Sequence, residues 1–213
     1  MNGAGLFLNP ATTAILVVDM QNDFCHPDGF YAKNGLDITA MAASVPAIAA
    51  LLQSARRSGA RTIYTRIVRH PVTGPAEVRH KLVPKRWFSY GDRLIAGTWG
   101  AQIVDALTAH PDELVIDKHG YSAFHRTTLE EELRSSDIQT LVLCGVVTYA
   151  CVLATAFDAF DLGFDVVLAD DASGSWYEHL GRGAGEIVDL LLGHAVPVAQ
   201  ITLDRPAKWE EKP

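Results

Sequence analysis

No run of apolar residues in this chain approaches the roughly 20 that a membrane-spanning helix needs. Its first residues, MNGAGLFLNPATT, show neither a basic leader nor a long apolar stretch, so no secretory signal is expected. Cysteine is scarce: Cys25, Cys144 and Cys151, an odd number without C-x-x-C spacing. That pattern argues against a disulfide framework or a thiolate zinc site and predicts a cytoplasmic chain with free thiols. Positive charge is also in deficit, with 18 Lys and Arg against 25 Asp and Glu, a formal net charge of −7. A nucleic-acid binder usually carries a basic stripe. Here the basic residues are scattered or in short pairs, Arg56-Arg57 and Lys85-Arg86. Neither nucleic acid nor membrane is therefore expected as a partner. Internal repeats and low-complexity segments are absent too.

What is present is apolar side chain, 48% of 213 residues, enough for one sizeable core and one domain over 1–213. Strand-length apolar runs alternate with helix-like stretches. Strands are expected over 14–18 (AILVV), 61–68, 113–117, 138–144, 164–169 and 196–201. Helices are expected over 38–58, 101–109, from Thr127 or Thr128 to about Arg134, over 150–162 and over 177–192, with glycines 59, 163 and 193 closing three of them. Pro46 suits a first helical turn, which would start the first helix near Ser44 or Val45. Residues 69–99 hold Pro71, Pro75 and Pro84 and form a long irregular segment. This alternation predicts an α/β fold with three α/β/α layers, a six-stranded mostly parallel sheet with helices on both faces.

Ligands of such sheets bind beyond the carboxyl ends of the strands. That rule singles out Asp19, Asp117-Lys118, the turn from Gly145 to Cys151, and Asp170-Asp171. Cys151 falls at the start of a helix, where the helix dipole favours thiolate and free N–H groups suit an oxyanion. Most cysteines are simply small buried hydrophobes, and Cys144, at the end of an apolar run, fits that description. Cys25 lies in the loop after Asp19 and lacks a helix start. A thiol, a carboxylate and an ammonium at three strand ends form a credible nucleophile, base and electrostatic partner.

Several segments make the chain recognisable: AILVVDMQNDF (14–24), GTWGAQI (97–103), DKHGYSAF (117–124) followed by TLEEELR, and CGVVTYACVLATAFDAFDLGFDVVLADDASGS (144–175). In order and spacing these resemble the isochorismatase-like cysteine hydrolases over nearly the whole chain. The resemblance implies a catalytic triad of Asp19, Lys118 and Cys151. It also implies a cis Val146–Val147 bond that aims the N–H groups of Val147 and Cys151 at one point, an oxyanion hole. Members that cleave isochorismate typically lack the cysteine, so its presence points to amide chemistry.

Two departures matter. Nicotinamidase-like members hold a metal on Asp-x-His and a further His after the second strand. Here that stretch reads Thr65-Arg66-Ile67-Val68-Arg69-His70. His70 and His80 suit loop positions better than ligand positions, so no metal and no other cofactor is expected. Tyr149 stands where many relatives carry Asn. The DMQNDF and GFYAKNGLDIT segments look most like the ureidoacrylate, biuret and N-carbamoyl amidohydrolase branches. A small ureido, carbamoyl or other amide substrate follows, cleaved through a thioester. Phe24, Trp99, Tyr121, Phe124, Tyr149 and Trp176 are candidate substrate contacts. Tyr31 and Tyr177 are further aromatics near the pocket. Lys85, Arg86 and Arg93 are candidate clamps for a substrate carboxylate. Rival readings are a nicotinamidase-type or streptothricin-type lactam hydrolase, a thiol redox protein pairing Cys151 with Cys144 or Cys25, and a non-catalytic binding relative. Aromatics among the prolines of 69–99, including Trp87, Phe88, Tyr90 and Trp99, predict a homo-oligomer, a dimer or tetramer.

Overall fold

The computed structural model describes residues 5–69 and 93–204. In chain order its strands are β1 (Leu6–Leu8), β2 (Thr13–Val18), β3 (Arg61–Ile67), β4 (Leu114–Lys118), β5 (Thr140–Val146), β6 (Asp165–Gly174), β7 (Gly193–Val196) and β8 (Ile201–Leu203). Its α-helices are α1 (Asn22–Cys25), α2 (Phe30–Lys33), α3 (Thr39–Ser58), α4 (Leu129–Arg134), α5 (Leu153–Asp161) and α6 (Glu178–Ile187). Six strands form one sheet in the order β4-β3-β2-β5-β6-β7, and all five pairings are parallel. β1 and β8 pair separately, also in parallel.

Every residue of β2 is buried, as an unbroken apolar strand at the centre of a parallel sheet requires. Alternation splits its side chains between two layers. Ile15 and Val17 pack with Ile48, Leu51 and Leu52 of α3. Ala14, Leu16 and Val18 pack on the other face with Leu129 and Leu133 of α4 and Ala156 and Ala159 of α5. The expected three layers are present.

Several boundaries depart from expectation, each for a backbone reason. The helix expected over 101–109 is two separate 3-10 turns, Trp99–Ala101 and Asp105–Leu107. Its carbonyls are claimed elsewhere: Gln21 Nε2 donates to Ala101 O (2.9 Å) and Asn22 N to Gln102 O (2.9 Å). α3 starts at Thr39, leaving Pro46 inside it instead of in the first turn. Pro46 and Ala42, whose carbonyl loses its helical donor, are both exposed, so water can take the place of the missing N–H. The strand expected over 196–201 is broken by Pro197 into β7 and β8, with a 3-10 turn at Val198–Gln200. Gly193 opens β7 and is no left-handed helix cap; a Cβ there would lie 2.0 Å from Val166 O. The helix before it ends in a π-turn, Val188–Leu192. β1, α1 and α2 carry no clear periodic signal and went unrecognised in the sequence.

Candidate active site

Register places the site. Val18 lies opposite both Thr65 and Gly145, and Ile67 lies opposite Lys118, so β2, β3, β4 and β5 end on one edge. Asp19 leaves β2 with φ +52°, a left-handed conformation that Asp tolerates better than most residues. Its Oδ1 accepts from Thr65 Oγ1 at 2.8 Å. Its Oδ2 lies 2.7 Å from Lys118 Nζ, an ion pair whose angle falls outside hydrogen-bond geometry, and both side chains are 0% exposed. Lys118 Nζ also donates to Gly120 O (2.8 Å) and Tyr121 O (2.9 Å). Burial alone pulls the Lys118 pKa down. The charge of Asp19, and then the Cys151 sulfur, outweigh it, so the ammonium is held above its ordinary value.

Cys151 sits on a π-turn, Thr148–Val152, that precedes α5. The turn is reached through Gly145, whose φ is +110° and whose Cβ, if present, would meet Val18 O at 2.1 Å. The Val146–Val147 bond is cis. The charges of Asp19 and Lys118 both act on the thiol, in opposite directions. Its environment corrects the expectation of a thiolate-prone cysteine. Cys151 is 4% exposed, and burial first, then the Asp19 charge, push its pKa well above the usual thiol value against the pull of Lys118. The direction of the shift favours a neutral thiol beside the Asp19 carboxylate.

Thr155, which the sequence reading missed, fixes this turn. Its Oγ1 donates to Cys151 O (2.7 Å) and accepts from Ala123 N (3.0 Å), tying the cysteine to the segment after Lys118. A threonine four residues beyond a candidate nucleophile is the signal that could have found it. Asp23 was missed as well: its carboxylate accepts from Phe30 N (3.1 Å) and Leu94 N (2.6 Å). The DMQNDF motif thus gives one residue to the site, and Gln21, Asn22 and Asp23 to hold the loops around it.

The candidate aromatic contacts separate. Phe24 stacks on Tyr31 (5.0 Å between centroids) and approaches Trp176 (6.0 Å), in the layer that faces α3. Tyr149 joins that layer, 6.3 Å from Tyr177, and its buried hydroxyl has no partner among the described residues. Burial, then Tyr177 and Tyr121, push its pKa up to about 12. Trp99 and Tyr121 are exposed, Trp99 edge-on to His26. Phe124 lies in the opposite layer, stacked on Phe164. A groove of about 540 Å³ at Asp170, Asp171, Ser173 and Arg182 reaches Thr148, yet its lining does not include Asp19, Lys118 or Cys151. Asp171 instead accepts from Val198 N.

Cys144 and Cys151 pack in opposite layers of the sheet, and all three cysteines are free. This geometry gives no support to a Cys144–Cys151 redox pair. Of the expected oxyanion donors, Val147 precedes the turn and Cys151 lies within it. His70, His80, Lys85, Arg86, Trp87, Phe88 and Tyr90 lie outside the described residues. Among those described, no group of three or more His, Cys, Asp or Glu could hold a metal ion, and no helix is long and apolar enough to cross a membrane.

Comparison with known proteins agrees with this geometry. The isochorismatase domain model matches residues 13–184. A ureidoacrylate amidohydrolase, RutB of Methylobacterium radiotolerans, is 32% identical over 203 residues, covering 90% of this chain and 79% of its own. A cysteine hydrolase from Pseudomonas syringae superposes with a TM-score of 0.78 at 27% identity, over 91% of this chain and 92% of its own. An isochorismatase family protein from Desulfovibrio vulgaris gives 0.76 at 30%, over 88% and 95%. A family model that matches residues 13–184, with a relative 32% identical over 90% of the chain, makes this protein a member of the isochorismatase family.

Proposed function

We propose that the protein is a cysteine-dependent amidohydrolase that cleaves the C–N bond of a small ureido or carbamoyl substrate through a thioester on Cys151. The observation that carries this reading is the fully buried Asp19–Lys118 ion pair, whose two charges both act on the buried Cys151 thiol. A neutral thiol needs a base in contact, and Asp19 is that base. Lys118 pairs with the carboxylate at 2.7 Å and orients it, while Gly120 O and Tyr121 O accept from the same ammonium.

Asp19 takes the thiol proton as sulfur attacks the carbonyl carbon. The oxyanion is received by the N–H groups of Val147 and Cys151. Protonated Asp19 then passes its proton to the leaving nitrogen, the C–N bond breaks, and a thioester remains. Water, deprotonated by Asp19, attacks the thioester and releases acid, or carbamate that decays to carbon dioxide and ammonia. Names of relatives favour the ureido class, RutB being a ureidoacrylate amidohydrolase. A panel of ureido, carbamoyl, nicotinamide and lactam amides, scored for ammonia release with and without EDTA, tests the reading. Preferred hydrolysis of nicotinamide or a lactam would replace the substrate class. Activity lost to EDTA and restored by zinc would replace the metal-free mechanism and bring His70 and His80 forward.

A further inference from the structure

A second concentration of charge lies at the same sheet edge. Arg69 follows β3 by two residues, with its N–H donating to Leu94 O (2.8 Å) and its carbonyl accepting from Ala96 N (2.9 Å). Both bonds hold it beside Leu94 and Ala96, next in the chain to Arg93. Arg93 is 3% exposed; its Nε donates to the Tyr31 hydroxyl at 2.9 Å, and its guanidinium lies 5.9 Å from that ring's centre. Burial first, and then the charge of Arg93, hold Arg69 below its ordinary pKa, against the opposing pull of Tyr31 and Tyr121. Tyr121 links this pair to the reacting groups, because its carbonyl accepts from Lys118 Nζ.

The Arg69 side chain makes no hydrogen bond or ion pair among the described residues. Asp23, the carboxylate that holds the neighbouring loop, has both oxygens engaged by Phe30 N and Leu94 N. A half-buried and a buried guanidinium that act on one another favour an incoming anion between them. A guanidinium fork matches a carboxylate in shape as well as charge.

We propose that Arg69, backed by Arg93, is the subsite for a carboxylate carried by the substrate, so that the protein selects ureido or carbamoyl acids over neutral amides. This rests on the hydrolase reading above and narrows it. Arg93 was a candidate clamp on sequence grounds; Arg69 was not, and it becomes visible only when the two arginines are brought together.

The test is calorimetry on the full chain carrying Cys151→Ala, which binds without turnover. The probes are 3-ureidopropionate, its neutral amide 3-ureidopropanamide, and inorganic phosphate. A charged hydrogen-bonded contact corresponds to about 10- to 100-fold in affinity. The acid should therefore bind about that much more tightly than the amide. Arg69→Gln should abolish the difference by weakening the acid alone, and Arg69→Lys should restore part of it. Equal weakening of acid and amide, or no preference for the acid in the parent, overturns the proposal. Phosphate binding as tightly as the acid would make this a general anion site and overturns it too. Without ligand, Arg69→Gln should melt at the same temperature as the parent or higher, since repulsion is relieved and no partner is lost. A lower melting temperature would assign Arg69 a structural role instead. Ammonia release by the wild-type chain is scored separately: its absence counts against the hydrolase reading alone, because the binding arms need no turnover.

Discussion

Lys118 Nζ and Asp19 Oδ2 meet at 2.7 Å with both side chains out of solvent, at the ends of strands that are not neighbours in the sheet. β3 lies between β2 and β4, and its Thr65 hydroxyl completes the carboxylate's shell. Losing one partner of such a pair costs more than the pair itself contributes, about 3–5 kcal/mol, because a buried charge is left unpaired. Lys118→Met should therefore lower stability by about that amount in urea titration and also abolish turnover. Lys118→Met protein with parental stability and activity would refute the role given to this pair.

Cys151→Ala and Cys151→Ser should eliminate hydrolysis while leaving the circular dichroism spectrum unchanged. Cys144, whose Sγ contacts Leu16 O at 3.6 Å on the other face of β5, should tolerate Ala with a packing cost of about 1 kcal/mol. Alkylation of Cys151 by iodoacetamide should be slow near neutral pH and accelerate as pH rises, since the resting thiol is buried and protonated. Residual turnover by Cys151→Ala comparable to wild type would remove it as nucleophile.

Asp23→Ala should destabilise the protein by about 2–4 kcal/mol, because it orphans the buried N–H of Leu94 and the partly buried N–H of Phe30. Freeing Leu94 also loosens the segment that carries Arg93. The Michaelis constant should therefore rise more than the turnover number falls. A loss confined to turnover number would contradict this positioning role.

Stability should fall steeply above pH 9. The Cys25, Cys144 and Cys151 thiols are all raised in the folded chain, Cys25 to about 12, chiefly by burial. The unfolded chain loses these protons near the ordinary thiol value while the folded chain keeps them. It thus binds fewer protons in that window, and unfolding is favoured as pH rises. Each thiol contributes a slope of about 1.4 kcal/mol per pH unit between the two values. Urea midpoints from pH 8 to 10 measure it, and Cys144→Ala should reduce the slope; above pH 10 Tyr31, Tyr64 and Tyr149, also raised by burial, steepen it further. A flat profile would show that these thiols are not held protonated.

A homo-oligomer is expected. The interface aromatics Trp87, Phe88 and Tyr90 lie outside the described residues, but exposed apolar side chains also occur elsewhere. Phe157 and Phe160 sit on α5, and Leu190, 80% exposed, with Leu191 on the π-turn after α6. Sedimentation at micromolar concentration should give a dimer or tetramer, and a fully active species of monomer mass would refute association.

Much of the fold is legible in local composition. AILVV and IQTLVLC read as buried strands because an unbroken apolar run of that length suits a sheet covered on both faces, and Gly59 marks the end of α3 by its left-handed φ. The helix expected over 101–109 was not legible, because Gln21 and Asn22, about eighty residues away in sequence, take the backbone groups it needed. Local patterns cannot record such competition.

The chain by itself determined which residue types stand at the strand ends: Asp19, Lys118 and Cys151 were identifiable because polar residues there interrupt apolar runs in a recognisable order. Only the tertiary structure decided their state. The thiol expected to favour thiolate is buried and held protonated, and Arg69 gained meaning only when Arg93 was folded against it. Burial and charge proximity are sums over groups distant in sequence, which no stretch of the chain contains by itself.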